Sequence, residues 1–171
     1  MVQADATQDL QALIDEHWSW LMEQHPESRT YRGDHSANDR WTDMSLSAHF
    51  ERDAQRGEFL DRLAAIDPSA LGADDQLNHQ MLSRRLSEAR RSHELGLYLM
   101  TLNMRDGPQH EYTILEYTPM QTESDYRKWL ARLRGLPTLL QQHIELLEEG
   151  INSDRVQPRA VMERVPAQLD N

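Results

Sequence analysis

The chain has 171 residues, a net charge of −11 and no cysteine. The absence of cysteine excludes disulfides, thiolate metal sites and a cysteine nucleophile. The acidic balance disfavours binding to nucleic acid or to an anionic lipid surface. The length suits one domain with its own core. The mean hydropathy of −0.80 is nevertheless low, which predicts helix faces left for a partner or for the rest of a longer chain.

The first half of the sequence predicts three helices. Helix spacing of apolar residues begins at about residue 9 and continues to 24, where Pro26 ends it. Residues 27–44 predict a polar loop with the aromatic anchors Tyr31 and Trp41. A second helix runs from Ser45 or Ser47 to about residue 66, and a third runs from about 73 to 95 or beyond.

The second half begins with a less regular stretch, residues 98–120, which predicts a long irregular loop or short strands. Thr122 and Asp125 then resemble a capping box that opens a helix at residue 123 or 124. Pro137 is expected to interrupt this helix and to open the next one. A short last helix begins at Pro158, and so abrupt an ending is expected of a cut within a longer protein.

These elements together predict a mainly α fold, with about five or six helices bundled in one domain over residues 1–171. No apolar run approaches the roughly 20 residues that span a bilayer. The first residues also lack the basic and apolar segments of a signal peptide. The sequence therefore predicts neither nucleic-acid binding nor a membrane span.

No catalytic motif is complete in the sequence. The zinc signature His-Glu-x-x-His begins at His93 and at His110, but residues 97 and 114 are Leu and Ile. A Gly-x-Ser-x-Gly elbow and a glycine-rich phosphate loop are also missing from the sequence. We therefore assign no catalytic residue, no metal ligand and no cofactor to this chain.

Several polar residues nevertheless leave two interpretations open. His49 and Asp53 stand four residues apart and could share a metal ion, although an ion pair or hydrogen bond is the favoured alternative. The histidines on apolar stripes are interpreted as core residues with one hydrogen-bond partner; they are His17, His93 and His143. Four arginines of the third helix are interpreted as a solvated, ion-paired face; they are Arg84, Arg85, Arg90 and Arg91.

Two loops dense in polar groups are candidates for the rim of a substrate-binding site. The candidate residues are Asp34, His35, Asp39 and Arg40 in the first loop, and Asp106 and Gly107 in the second. Loops on a helical scaffold commonly carry such sites. The alternative is structural: the glycines serve turns, the aspartates cap turns or helices, and Trp41 fills the edge of a core.

The order of several short motifs resembles the amino-terminal part of the bacterial domain of unknown function 885 family, DUF885. The matching residues span nearly the whole chain: Tyr31, Gly33, Asp34, Asp39, Arg40 and Trp41; Ile66-Asp67-Pro68, Leu71 and Leu77; Asp106-Gly107-Pro108; Asp125-Tyr126, Leu130, Arg132, Leu133, Leu136 and Pro137; Gly150-Ile151 and Pro158-Arg159.

The resemblance implies a longer helical protein, often exported or lipid-anchored, that looks like a zinc metallopeptidase acting on peptides. The family's His-Glu zinc motif lies in the carboxy-terminal part, and nothing here matches it. The implied role of this segment is a helical region that packs over the catalytic part and walls one side of a substrate channel.

Three hypotheses follow from the sequence. The chain is the amino-terminal portion of a peptidase-like hydrolase, inactive without the remainder; or it is a stand-alone helical interaction module; or it is a small metal or ligand binder that uses His49, Asp53 or the loop around His35. Its expected partners are the carboxy-terminal catalytic part of the same protein or other copies of itself, because apolar helix faces are left exposed.

Overall fold

A computed structural model describes residues 2–169 of the chain, and the surroundings of side chains 6–168. This part of the chain contains seven α-helices in order: α1 (Val2–Gln24), α2 (Pro26–Thr30), α3 (Leu46–Ala64), α4 (Ala73–Glu94), α5 (Glu123–Asn152), α6 (Arg159–Met162) and α7 (Pro166–Leu169). Short 3-10 helices lie at Pro68–Ala70, Leu97–Leu99 and Pro108–Tyr117. No strand occurs within residues 2–169, so the predicted mainly α fold class is confirmed.

The chain divides into two compact units, and the first comprises the residues up to Leu21 together with His49–Leu95. The core of this unit is built by leucines that recur at helical spacing and by one aromatic ring: Leu10, Leu13, Phe59, Leu63, Leu71, Leu82 and Leu86. At the surface of this unit, Arg62 Nη1 donates to Glu16 Oε1 at 2.7 Å and Arg62 Nη2 donates to Glu16 Oε2 at 2.6 Å.

The second unit comprises Met22–Ala48 and the residues from Gly96 onward. The buried apolar side chains here include Leu99, Ile114, Leu139, Leu146 and Val165. The long helix α5 contributes Leu139, His143, Leu146 and Gly150, which are buried along one stripe of the helix. The expectation of a single domain over residues 1–171 stays a prediction.

The prediction that Pro137 interrupts the helix and opens a new one was wrong. Helix α5 runs unbroken from Glu123 to Asn152 with Pro137 inside it. A proline within a helix lacks an N–H donor and crowds the preceding turn. Buried residues on both sides of it, Arg132 and Leu139, hold the helix against the core. Tertiary packing thus outweighs the local preference of the proline to begin a new helix.

The predicted capping box at the start of α5 is confirmed. The Asp125 N–H donates to Thr122 Oγ1 at 3.2 Å, and the Thr122 N–H donates to Asp125 Oδ2 at 2.9 Å. These reciprocal bonds satisfy two backbone donors that a helix start otherwise leaves unpaired. Hydrogen bonds from Thr122 to the carboxylate hold the pKa of Asp125 below its usual value.

Residues 98–120 form turns and 3-10 helices, so the alternative of short strands is not found in this stretch. Ten residues, Pro108–Tyr117, form successive 3-10 turns around the fully buried Ile114. The β-prone side chains of this stretch find no strand to pair with among residues 2–169, and strand stability depends on such neighbours. The polar loop predicted over 27–44 likewise contains a helix, α2, because Pro26 opens it at its first turn.

The final helix predicted from Pro158 is two short helices, α6 and α7, and between them Val165 is buried. None of the helices within residues 2–169 combines the length and the apolar character needed to cross a bilayer.

Candidate functional site

The most unusual side chain of the second unit is Arg132, which lies on the inner face of α5 with none of its surface exposed. Its Nε donates to the carbonyl oxygen of Arg40 at 3.1 Å. Its Nη2 donates to the carbonyl oxygen of Ala37 at 2.9 Å and to Thr30 Oγ1 at 3.1 Å. The guanidinium carbon lies 5.2 Å from the centre of the Trp41 ring, within cation–π range. We call these five residues the Arg132 anchor.

The first polar loop is fastened to α5 in both directions. While Arg132 donates to the loop, the indole Nε1 of Trp41 donates to the carbonyl oxygen of Arg132 at 2.7 Å. One turn earlier on the helix, Lys128 Nζ donates to the carbonyl oxygen of His35 at 2.9 Å. Arg132 and Lys128 are charged donors, which strengthens their hydrogen bonds. Together with the indole bond of Trp41, these contacts hold the loop against α5.

Three carboxylates, Glu27, Asp39 and Glu111, influence the buried guanidinium of Arg132. Glu27 accepts from the Thr42 N–H at 2.8 Å and from the Thr42 hydroxyl. The pKa of Glu111 is raised to about 7, mainly by burial and also by the charge of Glu27, while Arg132 acts in the opposite direction. Burial also lowers the pKa of Arg132, against the attraction of Glu27, Asp39 and Glu111. Glu111 therefore exchanges a proton close to neutral pH.

Near the Arg132 anchor, Glu111 is the group whose raised pKa suits it to exchange a proton. The hydroxyl groups of Thr30, in the anchor, and of Thr42, beside it, already donate, Thr30 Oγ1 to Asn38 Oδ1 at 2.7 Å and Thr42 Oγ1 to Glu27. Arg132 Nη1 is buried without a hydrogen-bond partner, so its charge is balanced through space. The arrangement holds a loop in place and makes its stability depend on pH.

Replacing Glu111 with glutamine is expected to make the protein more stable at pH 8 and to change little near pH 4.5. The folded pKa of about 7 exceeds the ordinary 4.5, so wild-type stability falls as pH rises through this window. One pKa unit is worth about 1.4 kcal/mol, and after discounting for partial exposure we expect a gain of about 1–2 kcal/mol. Urea unfolding at the two pH values measures it.

Glu116→Gln serves as the matched control, because Glu116 is exposed and lies in the same 3-10 segment. It should leave the free energy of unfolding unchanged at both pH values. If Glu111→Gln kept the pH dependence of the wild type, Glu111 would not be the titrating group.

The predicted rim residues of the first loop serve mainly the loop itself. Asp34 Oδ1 accepts from the Ser36 N–H at 3.0 Å, and hydrogen bonds from Ser36 hold its pKa below the usual value. The His35 ring lies 3.3 Å from Asn38 Nδ2. Arg40 forms an ion pair with Glu23, and Asp39 is exposed.

The second loop is a separate turn. Asn103 donates its N–H to the Asp106 carbonyl oxygen at 2.9 Å and its side-chain amide to Asp106 Oδ2 at 3.3 Å. Gly107 has a φ of +136°, which only glycine adopts readily. The hydrogen bonds found for the six candidate residues within residues 6–168 do not join one loop to the other. A substrate rim made of both loops stays a prediction.

The histidines interpreted as core residues are buried or nearly so. His143 Nδ1 lies 2.6 Å from Thr101 Oγ1, and His17 meets the Phe59 ring edge-on with centroids 5.3 Å apart. Burial lowers the pKa of both rings, so they are neutral at neutral pH. Both are packed side chains; His143 has a polar contact with Thr101, and His17 packs against aromatic rings.

His49 and Asp53, the pair that could share a metal ion, are joined by no third possible ligand within the described part of the chain. Asp53 instead faces α4, with Oδ1 3.5 Å from Arg90 Nε and Oδ2 3.7 Å from His93 Nδ1. Within the described part of the chain, no group of three or more His, Asp or Glu side chains is placed to hold a metal ion.

Two of the four arginines predicted to form an ion-paired face on α4, Arg84 and Arg91, pair with glutamates of the same helix. Arg84 Nε lies 2.7 Å from Glu88 Oε1, and Arg91 Nη1 lies 3.0 Å from Glu94 Oε2. Both pairs are more than half exposed, so each adds little to stability.

Sequence reasoning did not single out Arg132 as an anchor, although a signal was present. Arg132 starts the stripe that continues through Leu136, Leu139, His143 and Leu146 at helical spacing. No acidic residue stands three or four positions away on either side. An arginine on an apolar stripe without a helical ion partner indicates burial against carbonyl oxygens of another segment.

Comparison with known proteins agrees with the resemblance drawn from the motifs. None of the curated proteins with which the chain was compared matches it. The sequence profile described as "Bacterial protein of unknown function (DUF885)" matches residues 26–171. That range includes α2, the Arg132 anchor, both polar loops and the whole of α5. The chain belongs to the DUF885 family.

Proposed function

We propose that this chain is the amino-terminal helical region of a DUF885 protein, and that it contributes packing and partner binding rather than catalysis. The metallopeptidase-like hydrolysis implied by the family resemblance would then belong to the remainder of such a protein. On its own, the region is inactive.

The observation that carries this proposal is the exposure of large apolar side chains on several elements. Trp18 on α1 is 45% exposed, Phe50 on α3 57%, and Met81 on α4 62%. In the second unit Tyr112 is 71% exposed. Large apolar side chains exposed on several elements are available to pack against a partner.

Three polar side chains of the interior support the same proposal, because each contacts other groups of the chain. Arg132 holds a loop, Asp53 faces Arg90 and His93, and His143 contacts Thr101. Among residues 6–168, Glu111 is the group whose pKa is shifted by a large amount to about 7, and Arg132 is one of the charges that act on it. These roles account for the groups without a reaction.

Metal content and peptidase activity of the purified chain test the proposal. We expect sub-stoichiometric zinc by elemental analysis after dialysis, and no cleavage of a mixture of fluorogenic peptides above buffer. One zinc per chain, or cleavage abolished by a chelator, would overturn the proposal of a non-catalytic region.

A stand-alone interaction module is the second candidate, favoured by the continuous apolar seam on α5 described below. The gene sequence after the Asn171 codon separates the two. A frame that encodes His-Glu-x-x-x-x-His or a similar motif supports the portion of a longer hydrolase, and a stop codon without such a frame supports the module.

A further inference from the structure

The helix α5 carries a second apolar stripe besides its buried one. Eight successive positions, separated alternately by four and three residues, are all apolar: Tyr126, Leu130, Leu133, Pro137, Leu140, Ile144, Leu147 and Ile151. At 100° per residue, this stripe lies roughly a third of a turn from the buried stripe that contains Arg132 and Leu139. The helix is therefore apolar on two faces.

The second stripe, which we call the outer seam, is exposed at seven of its eight positions, and Leu147 is half-buried. Tyr126 is 54% exposed, Leu133 40%, Ile144 48% and Ile151 66%. A row of large apolar side chains over more than three heptads is costly to leave in water. Its period of 3.5 residues is that of two helices packed side by side in a coiled coil.

The charges beside the outer seam change sign along the helix. The flanking positions on one edge are Arg127, Arg134, Gln141 and Glu148, and all four are exposed. The amino-terminal half of this edge is therefore basic and the carboxy-terminal half contains an acid. A helix with this pattern is complementary to itself when the partner runs in the opposite direction.

A parallel partner would not use this complementarity. In a parallel pair, the charged edge would face the other edge of the seam, which is formed by Trp129, Leu136, His143 and Gly150. These residues are uncharged or buried. The antiparallel direction is thus the one that the charges favour.

We propose that the outer seam is an interface for a second copy of this chain, with the two α5 helices antiparallel about a twofold axis. Leu133 then packs beside Ile144 of the other copy, and Pro137 beside Leu140 near the axis. Arg127 lies beside Glu148 of the other copy, and the symmetry repeats each contact. The proposal deepens the proposed function by naming the partner of one face.

Within its own helix Arg127 already forms an exposed pair with Glu123 at 2.6 Å. Such a pair contributes little, and a guanidinium has donors to spare for a second carboxylate. The net charge of −11 per chain makes two copies repel each other. The attraction between Arg127 and Glu148 of the other copy opposes this repulsion, and it therefore affects how tightly two copies bind.

Sedimentation velocity of the purified 171-residue chain over a concentration series tests the interface. We expect a reversible dimer, and Leu133→Glu should weaken it at least tenfold. Leu77→Glu is the matched control, since Leu77 is 55% exposed on α4; it should leave dimerisation unchanged. Circular dichroism confirms that each variant is folded. A monomer throughout the series, or a folded Leu133→Glu variant that still dimerises, would overturn the proposal.

Charge reversal tests the antiparallel direction. Arg127→Glu and Glu148→Arg should each weaken the dimer several-fold, because like charges then meet across the axis. The double variant should recover affinity to within about twofold of the wild type, since both pairs are restored with their signs exchanged. Additive weakening in the double variant would exclude this pairing.

These outcomes are independent of the test of the proposed function. A chain that bound zinc or cleaved peptides could still dimerise through the outer seam, and an inactive chain could remain monomeric. Failure of one proposal is therefore distinguishable from failure of the other.

Discussion

Replacing Arg132 with methionine is expected to lower the free energy of unfolding by about 3 kcal/mol. Methionine fills much of the same volume but cannot donate to the carbonyl oxygens of Ala37 and Arg40 or to Thr30 Oγ1. Each of these acceptors then stays buried without its charged donor. The loss is reduced, not cancelled, because the cost of burying a guanidinium disappears. Urea unfolding followed by circular dichroism measures the change.

Arg134→Met is the matched control, because Arg134 is exposed two residues further along the same helix. It should change the free energy of unfolding by less than about 0.5 kcal/mol. Arg132→Lys should recover only part of the loss, since an ammonium group cannot span all three acceptors. Equal stability of Arg132→Met and Arg134→Met would show that the Arg132 anchor does not contribute.

Gly150→Ala is expected to destabilise the chain by about 2–3 kcal/mol, although alanine favours helix more than glycine does. A Cβ at residue 150 would lie 2.6 Å from the backbone oxygen of Arg155 and 3.3 Å from that of Leu99. Both are main-chain atoms and cannot rotate away. The Arg155 N–H also donates to the Gly150 carbonyl oxygen at 2.7 Å, so the chain after α5 would have to move as a unit.

Gly72→Ala provides the comparison for this effect. Gly72 has a φ of −68°, and a Cβ there would meet nothing within 4 Å. Its free energy of unfolding should stay within about 0.5 kcal/mol of the wild type. Thermal unfolding of both variants measures the difference, and a Gly150→Ala protein as stable as the Gly72→Ala protein would contradict the close packing around residue 150.

The long helices could be predicted because their signals are local. Helix α4 was expected over about residues 73–95 and is found at Ala73–Glu94, and the capping box at Thr122 opens α5 as predicted. Side-chain periodicity and capping act within one or two turns. The same reasoning correctly interpreted the arginine pairs of α4, whose partners lie three and four residues away.

The errors and omissions involve contacts between distant residues. Pro137 was expected to end a helix, but buried residues on both sides of it keep α5 continuous. The β-prone residues 112–117 form 3-10 turns around Ile114 because no strand is available to pair with them. Local preferences of these residues are weaker than the packing of the unit that contains them.

The candidate site shows the same division. The polar loop around Asp34 and Arg40 was recognised from composition, and its turn at Gly33 follows from a positive φ. That the loop is held by Arg132, 92 residues away from Arg40, was not deduced from the motifs. Neither was the pKa of Glu111, since it depends on burial and on the charges of Glu27 and Arg132.

The sequence by itself determined the helical character, the incomplete catalytic motifs and the apolar period of the outer seam, because each depends on residue identity and spacing. Only the tertiary structure decided which stripe of α5 is buried and which remains exposed. Both stripes have helical spacing, so periodicity cannot rank them. The choice follows from which face meets the loop at Ala37 and Arg40, and that contact stabilises Arg132 inside the protein.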